Sequence, residues 1–179
     1  GYSGTLKFDK LTDWKDHPKD SIRYYSGTAT YKKKITLPKE LVADDIQAIL
    51  DLGNIYIVAE VFINNKNVGV SWMPPYQLDV SDYLTAGENS LEIKLTNQWS
   101  NKLIGDERYP ANDGGYKLDG YRPQTKMPEW YVNNEPRPAG KRTTFTTAPF
   151  YKKDSPLMPS GLVGPVEIKF SKQVKYPSK

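Results

Sequence analysis

Apolar and polar side chains alternate most cleanly over Val58–Gly69, where Ala59, Val61 and Ile63 fall on one face of an extended chain and Glu60 on the other. Asn64-Asn65 interrupts the alternation with two residues that tolerate the positive φ of a tight turn, although Gly is more usual at the second position. The stretch predicts a central β-hairpin with Ala59, Val61 and Ile63 toward the core. Phe62 then lies on the wetter face and needs a cover, for which a long aromatic loop further along is the nearest candidate.

The same pattern, read along the chain, predicts short strands separated by turns. Thr5–Phe8 reads as a first strand, and Trp14 as a plug for one end of the core. Thr28–Leu37, rich in Thr, Tyr and Ile, is a strand stopped by Pro38, with Lys33 spoiling its alternation. A turn or helical stub over Leu41–Asp45 precedes a strand over Ile46–Leu52, ended by Gly53-Asn54. Beyond the hairpin, Ser71–Pro75 is a rigid loop, because paired prolines fix φ and remove two backbone donors. Tyr76–Val80 resumes as a strand, Ser81 caps a helical turn through Leu84, and Gly87-Glu88-Asn89 turns into a strand over Ser90–Thr96. In that strand Leu91, Ile93 and Leu95 point inward, with Glu92 and Lys94 opposite. From Asn97 to Arg142 the periodicity dissolves into Gly, Pro, Asn and aromatics, longer than ordinary loops in compact domains. Its aromatics favour an ordered loop folded back on the sandwich or on a partner. Strand pattern returns at Thr143–Thr147 and at Val163–Phe170, and the tail from 171 to 179 reads as frayed. The expected fold is all-β: an antiparallel β-sandwich of jelly-roll type, one domain over 1–179 with a long loop at 97–142.

Composition narrows what this scaffold does. A chain of 179 residues buries about 70% of its unfolded surface as one domain and needs no staples. It has no Cys, which removes disulfides, thiolate metal sites and thiol nucleophiles. The 25 basic and 21 acidic residues leave +4, too little and too dispersed for a nucleic-acid surface. Lys32–Lys34 reads as a solvated strand face with one snorkelling side chain. No apolar run approaches the ~20 residues of a membrane span, and the first residues lack the pattern of a signal peptide.

Several segments resemble a known family. Tyr24–Tyr31, Leu50-Asp51-Leu52-Gly53, Ala59–Asn64, Val68-Gly69 and Gly87–Leu91 resemble the sugar-binding jelly-roll domains of family 2 glycoside hydrolases, of galactose-binding-like fold. Asn97–Glu107, Met127-Pro128-Glu129-Trp130, Arg142–Thr147 and Ser155–Val166 are more specific. Together they resemble the C-terminal accessory domain of the α-L-rhamnosidase-like enzymes of glycoside hydrolase family 106, over nearly the whole chain. Asn65 stands where such domains often have Gly, and Lys102 where Arg is common. The resemblance implies a secreted or periplasmic polysaccharide-degrading enzyme acting on rhamnose-containing glycans, whose catalytic carboxylates lie in a separate barrel domain. No segment here resembles that barrel, so no catalytic residue carries over. The barrel is the implied partner and no cofactor is required.

Candidate chemistry reads as follows. The only His, His17, sits in a polar loop near Asp13, Asp16 and Asp20, a poor setting for a nucleophilic triad. Glycoside hydrolysis needs two carboxyl groups at roughly 5 Å or 6.5 to 9.5 Å, and Asp106, Glu107, Asp113 and Glu129 are the loop carboxylates that offer a pair. Sugar binding asks for aromatic faces and planar polar groups. Trp72 and Tyr76 beside the proline loop, Trp99, Asn101, Asp106 and Arg108 at the start of the long loop, and Trp130 and Tyr131 near its end supply them. The plainer reading packs Trp99 and Trp130 between loop and sandwich and makes Asp106-Glu107-Arg108 an internal ion pair that pins the loop. A structural Ca²⁺ on Asp79, Asp82, Asp106 and Asp113 is compatible with the oxygen ligands that ion prefers. The leading expectation is a noncatalytic accessory domain; the alternatives are an independent carbohydrate-binding module and a purely structural domain.

Overall fold

The computed structural model describes residues 4–110, 127–144 and 150–174. These fall into two compact units. One is drawn from Gly4–Trp14, Gly27–Gln98 and Pro159–Lys179, and the other from Lys15–Ser26 and Trp99–Met158.

Among the described residues the first unit holds every strand: β1 Thr28–Leu37, β2 Ile46–Asp51, β3 Asn54–Tyr56, β4 Val58–Ile63, β5 Lys66–Ser71, β6 Gln77–Asp79, β7 Gly87–Thr96, β8 Gly161–Gly164 and β9 Glu167–Lys172. They form a four-stranded sheet of order β1-β7-β4-β5, a three-stranded sheet of order β6-β2-β9 and the pair β3-β8. All strand pairings are antiparallel. This is an all-β antiparallel sandwich. Its core takes Ala59, Val61, Ile63, Leu91, Ile93 and Leu95 from the larger sheet and Ala48 and Leu50 from the smaller, with Leu52, Ile55, Val80 and Leu162, all buried. Each fully buried aliphatic chain is worth about 1.5–3 kcal/mol, so the alternating apolar positions set the register.

The Val58–Gly69 hairpin stands as read. Asn64 and Asn65 sit at φ 52° and 62°, the left-handed pair that a two-residue hairpin turn of matching twist requires. The ladder shifts register between Val61 and Phe62, so that Phe62 faces Asn67 and Val61 faces Gly69. Asn64 is also a fastener: its Nδ2 donates to Tyr83 O (3.0 Å) and Asn89 Oδ1 (2.8 Å), and its Oδ1 accepts from Ser90 N (3.0 Å). A lysine of the neighbouring strand lies over Phe62, with Lys94 Nζ 4.3 Å from its ring centre.

Other expectations change. Thr5–Phe8 joins no ladder, and Phe8 instead sets its ring 6.2 Å from Tyr31. Trp14 is buried as expected, with its Nε1 donating to Tyr31 Oη (2.6 Å). Gly53-Asn54 does not simply end a strand, because Asn54 begins β3. Gly53 has φ +62°, and a Cβ there would collide with Pro165 O, so the backbones approach at a point that only glycine permits. The Val163–Phe170 run divides into β8 and β9 around Pro165, which has no N–H to offer a ladder. The Gly87–Asn89 turn is already strand, since β7 starts at Gly87. Ser81 begins its 3₁₀ turn without capping it: its Oγ donates to Asp79 (2.6 Å) and accepts from Ala48 N (2.9 Å). Lys33 falls on the inward row of β1 yet is exposed, as an edge strand allows. Thr143 and Thr144 are not in a strand; the remainder of that predicted strand lies outside the described residues.

Candidate functional site

The second unit carries most of the long-loop candidates, and it is not irregular throughout. Its described residues include three helices: α1 Asp20–Arg23, α2 Ser100–Asp106 and α3 Glu129–Val132. Asn101, Ile104 and Gly105 occupy one buried face of α2, the i, i+3, i+4 spacing of a helix seam. Gly105 is required there, since a Cβ would fall 2.6 Å from the Tyr24 ring. Asn101 uses both ends of its amide on one residue: Nδ2 donates to Met158 O (2.7 Å) and Oδ1 accepts from Met158 N (2.8 Å).

Asp106, only 1% exposed, is the electrostatic centre of this unit. Its Oδ1 accepts from Lys102 Nζ at 2.8 Å one helical turn back. Its Oδ2 accepts from Thr143 N (2.9 Å), Thr144 N (2.7 Å) and Thr144 Oγ1 (2.8 Å). Burial alone pushes this carboxyl up, but Lys102 and the threonine donors together hold it below its ordinary range. The backbone of 142–144 is further tied by Arg142, which is buried, donates to Asp106 O (3.2 Å) and pairs with the Glu107 carboxylate. Arg137 donates to Thr143 O and Arg142 O, both at 2.9 Å. The arrangement is a latch between α2 and residues 137–144. A carboxylate held ionised by four donors is poorly disposed to give a proton to a leaving group.

Asp106-Glu107-Arg108 is thus ion-paired, though not internally. Asp106 pairs with Lys102, Glu107 with Arg142, and Arg108 with Asp20, NH1 donating to Oδ2 at 2.6 Å. Arg108 also lies 4.2 Å over the Tyr24 ring and donates Nε to Gly105 O (3.2 Å). The bond to Asp20 raises its affinity for the proton further. Of the polar sugar-binding candidates, Asn101, Asp106 and Arg108 therefore all have their polar groups engaged within this unit.

The aromatic candidates behave differently. Trp99 is 72% exposed and Tyr131 59%. Trp130 is half-buried, edge-on to Tyr131 at 6.0 Å. On the sandwich, Trp72 is 66% exposed while Tyr76 is half-buried. Of the polar candidates only Asp106 belongs to the latch, while Asn101 bonds Met158 and Arg108 bonds Asp20; Trp72, Trp99 and Tyr131 are exposed.

The remaining candidates are placed as follows. His17 Nδ1 accepts from Lys19 N (3.1 Å) and its carbonyl from Arg23 Nε (3.1 Å), a turn-forming role. Glu129 opens α3 and is exposed; Asp113 lies outside the described residues. For calcium, Asp79 is already bonded to Ser81 and Gln47, and Asp106 to its four donors. Among the described residues no group of three or more His, Asp or Glu is placed to hold a metal ion. Nor is any helix among them long and apolar enough to cross a membrane. Sequence reading missed Lys102, Arg142 and Thr144 as partners of Asp106 and Glu107. The Lys102/Asp106 i,i+4 spacing is the available signal, hidden because the pattern over 97–142 reads as loop.

The fold and its neighbourhood define a class: a β-sandwich domain of the kind carried by glycoside hydrolases. Residues 10–131 match the family described as "Glycosyl hydrolase 2 galactose-binding domain-like", and the chain belongs to that family. A protein of Formosa agariphila named "Putative beta-glucuronidase" is 42% identical over 164 residues, which are 91% of this chain and 14% of that protein. The rhamnosidase from Novosphingobium sp. PP1Y superposes with a TM-score of 0.71 at 29% identity, over 93% of this chain and 13% of the rhamnosidase. The chain thus spans about a seventh of the length of each.

Proposed function

We propose that this chain is the noncatalytic accessory domain of a secreted or periplasmic glycoside hydrolase, and that it packs on the catalytic domain of that enzyme. The observation that carries the reading is the match of nearly the whole chain to a seventh of two much longer proteins named as glycosidases. The geometry agrees: Asp106 and Glu107 are locked in ion pairs and form no acid–base couple. Likeness to the rhamnosidase supports an α-L-rhamnosidase-like parent of family 106, with rhamnose-containing glycans as substrate. The Formosa relative makes glucuronides the other chemistry to assay. Deleting this chain from the full-length polypeptide is expected to lower the thermal stability of the enzyme while leaving bond cleavage in place. Complete loss of cleavage by a remainder that is still folded would contradict it.

A carbohydrate-binding module is the second reading, favoured by Trp99 and Tyr131, two broadly exposed aromatic faces suited to stacking on sugar C–H patches. It predicts saturable polysaccharide binding that Trp99→Ala abolishes without loss of folding.

A further inference from the structure

The run Lys32-Lys33-Lys34 plays no part in either reading above, and it lies on the long edge of the larger sheet. The strand order places β1 at one edge of that sheet and β5 at the other. β5 is only 6 residues long, and its ladder with β4 shifts register between Val61 and Phe62. A short strand in an irregular ladder is a poor template for a further strand. β1 has neither protection. It runs for 10 residues without a proline, and its ladder with β7 continues without a shift from Thr28 opposite Thr96 to Leu37 opposite Gly87. Thr28, Thr30, Lys32, Lys33, Lys34 and Thr36 are exposed along it, and among the described residues no strand other than β7 forms a ladder with it. An edge of this length, rich in Thr, Tyr and Ile, recruits another strand unless a side chain on it opposes the pairing.

Lys33 has the position and the charge to oppose it. It lies opposite Leu91, as Tyr31 lies opposite Ile93. Leu91 and Ile93 are buried, so Lys33 stands on the core-facing row of β1. The lysines on either side are engaged on the outer row, Lys32 with Glu92 and Lys34 with Glu88, both at 2.9 Å. Lys33 forms no such ion pair among the described residues. Two copies joined edge to edge by a two-fold axis make an antiparallel β1–β1 pair in which core-facing residues oppose core-facing residues. One register that overlaps most of the strand sets Lys33 against Lys33 and Lys32 against Lys34. The neighbouring one sets Lys32 against Lys32 and Lys33 against Tyr31. Either way an uncompensated ammonium enters the seam on its core side. Like charges directly opposite are destabilising, and an unpaired charge removed from water costs more still.

We infer that Lys33 is the residue that bars a second copy of this chain from adding to the β1 edge, which is otherwise competent to pair. The inference is independent of whether the domain acts as an accessory or as a carbohydrate-binding module. Sedimentation velocity over a concentration series of this chain tests it. Lys33→Val is expected to self-associate at least about tenfold more tightly than the unsubstituted chain, because both copies lose a charge at the contact. Hydrogen exchange is expected to slow at the β1 amides on the side away from β7. Lys33→Thr removes the same charge with less apolar gain; it is expected to shift in the same direction and serves if the valine variant does not fold. Lys33→Arg keeps the charge, and Thr30→Val adds a valine on the outer row of the same strand, opposite Lys94. Both are expected to match the unsubstituted chain. Folded Lys33→Val and Lys33→Thr that associate no more tightly than the unsubstituted chain would overturn the inference. Equal association by Thr30→Val would overturn it too, as would association that leaves exchange along β1 unchanged.

Discussion

At the residue scale, Asp106 concentrates the chemistry of the long-loop unit. Removing its charge leaves the Lys102 ammonium, the Thr143 and Thr144 N–H groups and the Thr144 hydroxyl without their acceptor. Asp106→Ala is expected to cost about 3 kcal/mol, the scale of breaking a largely buried ion pair, measured by chemical denaturation. The same carboxylate makes the unit acid-sensitive. Its folded pKa lies below the unfolded value of about 3.9, so its contribution is complete above that pH and is lost as pH falls through the folded value. Asp51 on the sandwich behaves alike: Lys169 foremost, then Gly53 and Gln77, hold it at about 2. Its contribution fades between the ordinary carboxylate range and about pH 2, and Lys169→Met is expected to shrink that acid limb in a pH series of denaturation curves. Gly105→Ala belongs at this scale too. A methyl 2.6 Å from the Tyr24 ring is expected to cost about 1–3 kcal/mol by overpacking.

At the scale of elements, the hairpin was legible because alternation has a period of two and Asn-Asn accepts positive φ. Its strands, the burial of Ala59, Val61 and Ile63 and the two-residue turn all follow from that. The short α2 was not legible. Seven residues carry too few periods to announce a helix, and its buried face contains Asn101 and Gly105 rather than aliphatic side chains. The lysine over Phe62 was not legible for a related reason: Lys94 comes from a strand pairing 30 residues away in sequence, which periodicity does not reveal. The turn itself is testable. Asn64→Ala removes three hydrogen bonds and places a Cβ-bearing residue without a compensating side chain at φ 52°. A loss of about 2–3 kcal/mol is expected. Asn65→Gly is expected to be neutral or stabilising by under about 1 kcal/mol, and calorimetry of the two variants separates these outcomes.

At the scale of the whole molecule, the sandwich class was readable from short alternating strands, and the family from segments dispersed over most of the chain. The division of labour within the candidate site was not. Asn101, Asp106 and Arg108 have the composition of a sugar site, yet each is engaged within its own unit, and only the structure distinguishes an engaged amide or carboxylate from an available one. What remains facing outward is aromatic and apolar surface, consistent with a domain that works by contact. The central claim, that this chain performs no bond cleavage itself, is tested by incubating it alone with aryl α-L-rhamnosides and aryl β-D-glucuronides beside the full-length polypeptide. The account predicts turnover by the full-length protein and none above background by this chain; turnover by the chain alone that a carboxylate substitution such as Glu129→Gln abolishes would contradict it.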